Sequence, residues 1–253
     1  MNRVDLRGFL PKTMLKNYLN GISRPFSPHL VRWKSGTSSR RWVTRQMDDH
    51  HTKQSKEQGF RSRAAYKLIE IDQKFKLFNK NTANIVDLGF APGAWTQVAL
   101  KRSQTLQNKM NILGVDLIDC SPPQGASFIQ GDILSKKTHL AIKEHFQGGV
   151  DVVLSDMMAN TSGIKDNDHY ASMDLCDGVL ILACELLNQN GSLVMKFYSG
   201  AEDPLLQSRL QKMFHKVYRC KPDACRAELR ELYFVCLRRR LAEQKIEDIF
   251  ADD

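Results

Sequence analysis

The chain has 253 residues, 42% hydrophobic and 26% charged, an ordinary globular composition that supports one sizeable core or at most two small ones. No apolar run approaches the ~18 residues that a membrane-spanning helix needs, which excludes stable membrane insertion through a helix. The net charge of +9 is unevenly placed: residues 1–41 hold nine Lys/Arg against one acid, Asp5, leaving 28 basic and 27 acidic residues in the rest.

Residues 1–41 are Arg-rich, contain serine and are nearly free of acids. Leu6, Leu10, Met14 and Tyr18 recur at helical spacing, with Arg3, Arg7, Lys12 and Lys16 between them. This is the composition of a mitochondrial presequence, with an RNA-binding arm as the alternative. The globular domain is assigned to residues 42–242, followed by a polar, acidic and peripheral tail at 243–253. Within that domain, "KQSKEQGFRSRAAYKLIEIDQKFKLF" puts Ala64, Leu68, Ile71 and Phe75 on one helical face, with Lys67 at its rim. A lysine there ordinarily snorkels to water.

From residue 81 strands and helices alternate. "NIVDLGF" reads as a strand, "AWTQVALKR" as a helix, and "NILGVDLI", "SFIQGDI" and "VDVVLSDM" as strands. A long helix is predicted over roughly Tyr170 to Leu187, with Gly191 in the turn beyond it. "GSLVMKFYS" is a strand, and "DPLLQSRLQKMF" a helix with Asp203 as cap and Pro204 at its first position. "HKVYRCKPD" and "ELYFVCLRR" close the domain as strands with no helix between them, so one should run antiparallel. The order implies an α/β fold with a mostly parallel sheet covered on both faces. The six cysteines include no C-x-x-C pair, and His50 and His51 lack nearby cysteines. Buried free thiols and no metal site follow from that spacing.

Ligands of open parallel sheets bind where the strands end and the strand order reverses. The loop "VDLGFAPGAW" has Ala91 two residues after Gly89, so it is not G-x-G-x-x-G, and the chain has no G-K-[ST]. Without a phosphate cradle, carboxylates at Asp87, Asp116 and Asp132 suit a phosphate-free, cationic nucleoside. Asp116 can accept from ribose hydroxyls and Asp132 from an adenine amino group. S-adenosylmethionine has that chemistry, and Gly89 and Gly93 would let the backbone approach it.

Lys196 lies in "SLVMKFY" among apolar neighbours. Burial without compensation is expensive for a lysine, which marks it as a functional residue whose amine could serve as a base. Asp156 ends the preceding strand and Glu231 begins the last one. If that last strand runs antiparallel beside Lys196, all of them meet at one rim of the sheet.

The blocks "RSRAAYKL", "VDLGFAPGAW", "GVDL", "QGDI", "SDMMANTSG", "VMKFY", "KPDACR" and "ELYFV" together resemble the FtsJ-type ribosomal RNA 2′-O-ribose methyltransferases, most of all their mitochondrial members. The resemblance runs from about Trp42 to Arg238. It implies a Rossmann-like class I methyltransferase fold, with seven strands of which one is antiparallel and helices on both faces. It also implies a catalytic set of Lys67, Asp156, Lys196 and Glu231, promoting Lys67 from its rim position. Cofactor contacts would fall on Gly89, Pro92, Gly93, Ala94, Trp95, Asp116, Asp132 and Asp156, with S-adenosylmethionine as cofactor. The chain departs from the family in one place, where Ala159 stands in a loop that commonly carries proline.

The implied activity is 2′-O-methylation of large-subunit ribosomal RNA in the mitochondrial matrix, at a uridine of the peptidyl-transferase region. The partner would be ribosomal RNA or a large-subunit precursor, and the protein a monomer. A transfer-RNA 2′-O-methyltransferase of the same fold is the enzymatic alternative. A ribosome-assembly factor whose catalysis is dispensable is the other. Residues 42–80 hold nine basic and five acidic residues and residues 209–240 hold ten and three, against eight and fourteen between 81 and 208. Both basic clusters lead to site residues, and Arg61, Arg63 and Arg226 are the expected phosphate contacts.

Overall fold

Apolar strands alternating with amphipathic helices bury both faces of a sheet, and this chain does so around seven strands. The computed structural model describes residues 50–159, 162–226, 229–240 and 245–251; the predicted presequence lies outside them. In chain order the elements are α1 (His50–Glu57), α2 (Ala64–Phe75), β1 (Asn84–Leu88), α3 (Ala94–Leu106), β2 (Asn111–Asp116), β3 (Ser127–Gln130), α4 (Lys136–Phe146) and β4 (Val150–Ser155). They continue with α5 (Lys165–Leu186), β5 (Leu187–Tyr198), α6 (Asp203–Met213), β6 (Phe214–Cys220), β7 (Glu231–Arg239) and α7 (Ile246–Phe250). The strand order is β3-β2-β1-β4-β5-β7-β6. All neighbours are parallel except β7, which runs antiparallel to both β5 and β6.

Side chains alternate along each strand, so each strand supplies two cores. Val86, Leu88, Leu113, Val153, Met195, Phe197 and Phe234 face one way, onto the apolar sides of α4, α5, α6 and α7. Ile85, Ile112, Leu154, Val194, Tyr233 and Val235 face the other way, under α2 and α3. The strand order reverses between β1 and β4, which opens a crevice beyond their carboxyl ends. Buried Arg239 donates to the carbonyl oxygens of Leu187 and, at 2.7 Å, Cys184. It thereby caps the carboxyl end of α5, where a cation also complements the helix dipole.

Several boundaries differ from the sequence reading. The long helix begins at Lys165 and Gly191 lies inside β5, not in a turn. There Asn190 takes a left-handed φ of 65° and the β4–β5 register shifts between Val150 and Val152. Asp203 is the first residue of α6 instead of its cap, and its carboxylate accepts from Gly200 N and Arg219 Nη2. The tail is not peripheral, because Ile249 and Phe250 are buried in the core. Helix α4 was not read from the sequence; its buried face includes Thr138 and His139, which blur its apolar period. Among the described residues no helix is long and apolar enough to cross a membrane, and no group of three or more His, Cys, Asp or Glu is placed to hold a metal ion.

Candidate active site

The sheet's alternation aims Lys196, Tyr233 and Glu231 at the face covered by α2. β5 and β7 pair Lys196 with Tyr233 and Tyr198 with Glu231, so the start of β7 lies at the rim where the parallel strands end. Asp156 follows β4 directly, its N–H donating to Leu88 O at 3.2 Å. Lys67 comes down from α2 and is only 9% exposed, against 8% for Lys196 and 4% for Glu231. Lys67 does not snorkel, because partners after β4 and on β7 draw its ammonium inward.

The four predicted residues meet. Lys67 Nζ lies 3.0 Å from Glu231 Oε1 and 3.9 Å from Asp156 Oδ1. Lys196 Nζ lies 3.0 Å from the same Asp156 oxygen and donates to the Asp156 backbone carbonyl at 2.5 Å. Burial opposes the Lys67 ammonium, but the Asp156 and Glu231 carboxylates outweigh it and raise the lysine's pKa. Burial likewise opposes ionisation of Asp156, yet Lys196 and Lys67 hold its carboxyl below the usual range. The cluster is thus a paired arrangement of two cations and two anions, whose formal charges cancel.

Sequence reasoning missed two members of this cluster. Tyr233 donates its hydroxyl to Asp156 Oδ1 at 2.6 Å, and the Lys67 ammonium lies 5.7 Å from its ring centre. Burial and the two carboxylates push the Tyr233 phenol well above its ordinary pKa. The signal was available, since Tyr233 stands two residues after Glu231 in a strand and must share its face. Cys225 lies against Glu231, and burial with that carboxylate pushes its thiol up to about 12. A thiol so hard to ionise is no nucleophile near neutral pH.

The loop after β1 lies beside this cluster. Gly89 and Gly93 have left-handed φ of 73° and 96°, and Ala91–Pro92 is a cis peptide. A Cβ on Gly89 would meet Met157 at 2.7 Å, and one on Gly93 would meet the Phe90 ring at 2.7 Å. The glycines therefore serve the loop's own packing as well as any ligand. Asp116, at the end of β2, accepts from Ala91 N at 2.8 Å and Ile118 N at 2.9 Å, which ties the loop to the next strand. Asp132 lies exposed beyond β3, accepting from Leu134 N at 2.9 Å.

Asp87 departs from the row of carboxylates that the sequence suggested. It is buried, accepts from Thr96 Oγ1 at 2.7 Å, and burial raises its pKa to about 7. Ala94 and Trp95 are buried too, and the indole Nε1 donates to Ala64 O at 2.8 Å while the ring packs on Tyr233. Trp95 thus links the loop to the helix that carries Lys67. Carboxylates at Asp116, Asp132 and Asp156 around a loop without a lysine or arginine of its own fit a cationic, phosphate-free nucleoside, the chemistry of S-adenosylmethionine.

The three predicted phosphate contacts are placed differently from one another. Arg61 is exposed at the loop, where its guanidinium donates to Pro92 O at 2.9 Å and Ser121 O at 2.6 Å. Arg63 is half-buried and reaches Ala224 O at 2.5 Å, bridging α2 to the β6–β7 connection. Arg226, also half-buried, lies in that connection. All three flank the paired cluster or its loop.

Residues 60–239 match the family described as FtsJ-like methyltransferase. The chain is 36% identical to the mitochondrial rRNA methyltransferase 2 of Saccharomyces cerevisiae over 304 aligned positions, covering 88% of this chain and 93% of that one. It is 41% identical to the protein of the same name from Schizosaccharomyces pombe, covering 79% and 95%. It is also 42% identical to the ribosomal RNA large subunit methyltransferase E of Acidiphilium cryptum, covering 80% and 87%. Among solved structures, a ribosomal RNA methyltransferase from Plasmodium falciparum superposes with a TM-score of 0.64 at 34% identity, covering 71% of this chain and 98% of that one.

Proposed function

This chain belongs to the FtsJ-like methyltransferase family, and we propose that it methylates a ribose 2′-hydroxyl of large-subunit ribosomal RNA in the mitochondrial matrix, using S-adenosylmethionine. The proposed acceptor is a uridine of the peptidyl-transferase region. The observation that carries the reading is the meeting of Lys67, Asp156, Lys196 and Glu231 beside the Gly89–Trp95 loop. The mitochondrial names of the yeast relatives and the basic residues 1–41 support the location.

Gly89, Pro92, Gly93, Ala94 and Trp95, with Asp116, Asp132 and Asp156, would hold the cofactor. When bound, S-adenosylmethionine supplies an electrophilic methyl group on a sulfonium. The chain's own residues must then orient the ribose and take one proton from its hydroxyl. Lys196 gives two N–H groups to Asp156, one to the carboxylate and one to the carbonyl. As an amine it has one tetrahedral position left, the lone pair, and this accepts the hydroxyl proton. Lys67, across the shared Asp156 oxygen, stabilises the developing alkoxide. Glu231 fixes Lys67, and Asp156 fixes Lys196.

The test maps ribose methylation across mitochondrial ribosomal RNA in cells with the protein, without it, and with Lys196→Ala alone. One ribose methyl group should disappear in both the null and the variant, while the purified variant keeps its fold and its affinity for S-adenosylhomocysteine. A full methylation map in the null cells would overturn the reading. If the Lys196→Ala cells assembled ribosomes normally while the null cells did not, a separate assembly role would stand beside the chemistry.

A further inference from the structure

Two residues beyond Asp156 and Lys196, the segment after β4 and the end of β5 bring a second side-chain pair together. β4 and β5 run in register from Val152 beside Ser192 to Ser155 beside Met195. Continuing that register sets Asp156 beside Lys196 and Met158 beside Tyr198. The contacts agree, because Lys196 Nζ lies 3.0 Å from Asp156 Oδ1 and the Tyr198 hydroxyl donates to Met158 Sδ at 2.9 Å. On its other side Tyr198 pairs with Glu231. Alternation puts Tyr198 on the same face as Lys196, about 7 Å farther toward the rim. Exposure changes over that step: Lys196 is 8% exposed, whereas Met158 is 59% exposed and Tyr198 half-buried.

We propose that Tyr198 and Met158 form the ledge on which the base of the acceptor nucleotide stacks while its ribose hydroxyl lies at Lys196. The proposal rests on the ribose-methylation reading above. Its chemistry is that of the pair itself. An aromatic face beside a polarisable thioether offers a flat apolar surface at the mouth of a charged site. The hydroxyl's partner is a thioether, a weak acceptor, so the ring is what this position chiefly offers. A ribose has no unique feature along an RNA strand, so a hydroxyl is singled out only if its own nucleotide is held. A stacked base does this without reading hydrogen bonds, and it requires the nucleotide to be unpaired. The ledge thus commits the enzyme to a single-stranded or splayed acceptor.

The experiment uses the full chain and two RNA oligonucleotides spanning the methylated position mapped in the wild type, one intact and one abasic at that nucleotide. Tyr198→Ala should weaken kcat/KM on the intact RNA about 5- to 150-fold, the range for loss of one aromatic–base stack. Tyr198→Phe should stay near wild type, and Met158→Ala should show a smaller loss. On the abasic RNA, wild type and Tyr198→Ala should be equal, since no base remains to stack. Affinity for S-adenosylhomocysteine should be unchanged throughout, separating the ledge from the cofactor loop. Equal loss on both RNAs, or Tyr198→Phe falling as far as Tyr198→Ala, would overturn the ledge. So would an unaffected Tyr198→Ala enzyme, whereas a wild type that methylates no ribose would remove the underlying reading itself.

Discussion

A carboxyl held against its own ionisation reports on the dielectric around it, and Asp87 is such a group. Its folded pKa is about 7 against an ordinary 3.8, because burial outweighs the Thr96 hydrogen bond, with Asp156 and Asp116 adding repulsion. The native state therefore binds a proton that the unfolded chain has already released. Stability from this group is greatest below about pH 4, declines between about 4 and 7, and is flat above; the full span is about 4 kcal/mol. Asp87→Asn keeps an acceptor for Thr96 but cannot titrate. Urea unfolding at a series of pH values should show the variant gaining on the wild type by about that amount between pH 4 and 8. A constant difference across the range would mean that Asp87 is ionised in the fold. Asp156 has the opposite sign: its lowered pKa gives stability above the unfolded value that is lost as pH falls through the folded one.

The elements decide which such residues meet, and the sequence discloses only part of this. "VDVVLSD" and "SLVMKFY" are near-continuous apolar runs with a charged residue late in each, so the strands and the position of Asp156 and Lys196 near one rim were legible, and the missing helix between β6 and β7 disclosed the antiparallel strand that brings Glu231 back. Burial of Lys67 was not legible from spacing, because its partners arrive from β4 and β7, far along the chain. Resemblance supplied what local pattern could not. The packing under the Gly89–Trp95 loop was also hidden. Phe90 lies buried over β2, where a Cβ at Gly114 would come within 2.2 Å of its ring, and the ring packs on Phe128 at 5.2 Å between centres. Gly114 thus gives the loop a seat. Gly114→Ala must displace Phe90, costing about 1–3 kcal/mol of overpacking. The displaced loop should bind S-adenosylhomocysteine at least several-fold more weakly by calorimetry, while Lys196 keeps its partners. Unchanged affinity would show that Phe90 moves without carrying the loop.

Across the whole molecule, charge is unevenly distributed along the chain. Basic residues cluster at both ends of the described domain's sequence, carboxylates concentrate in the middle, and the site lies where the two meet. The last short helix adds to the apolar core. Ile249 and Phe250 are 0% and 1% exposed, Arg209 lies 4.6 Å from the centre of the Phe250 ring, and Lys212 donates to Ala251 O at 2.6 Å. Both cationic side chains come from α6, so α7 packs against that helix. Burial of two large apolar side chains stabilises by about 3–6 kcal/mol, somewhat less if the unfolded chain is compact. That is a large share of the roughly 5–15 kcal/mol that holds a domain together. Truncation after Lys245 should therefore lower Tm by roughly 10 °C or more in a domain of this size. It should leave the spacing of Lys67, Asp156, Lys196 and Glu231 intact, because α7 packs on the opposite face of the sheet. Methyl transfer by the truncated chain should then persist at low temperature and fail early on heating. A Tm equal to that of the full chain would place α7 outside the cooperative core, and activity lost even in the cold would mean that the far face shapes the site.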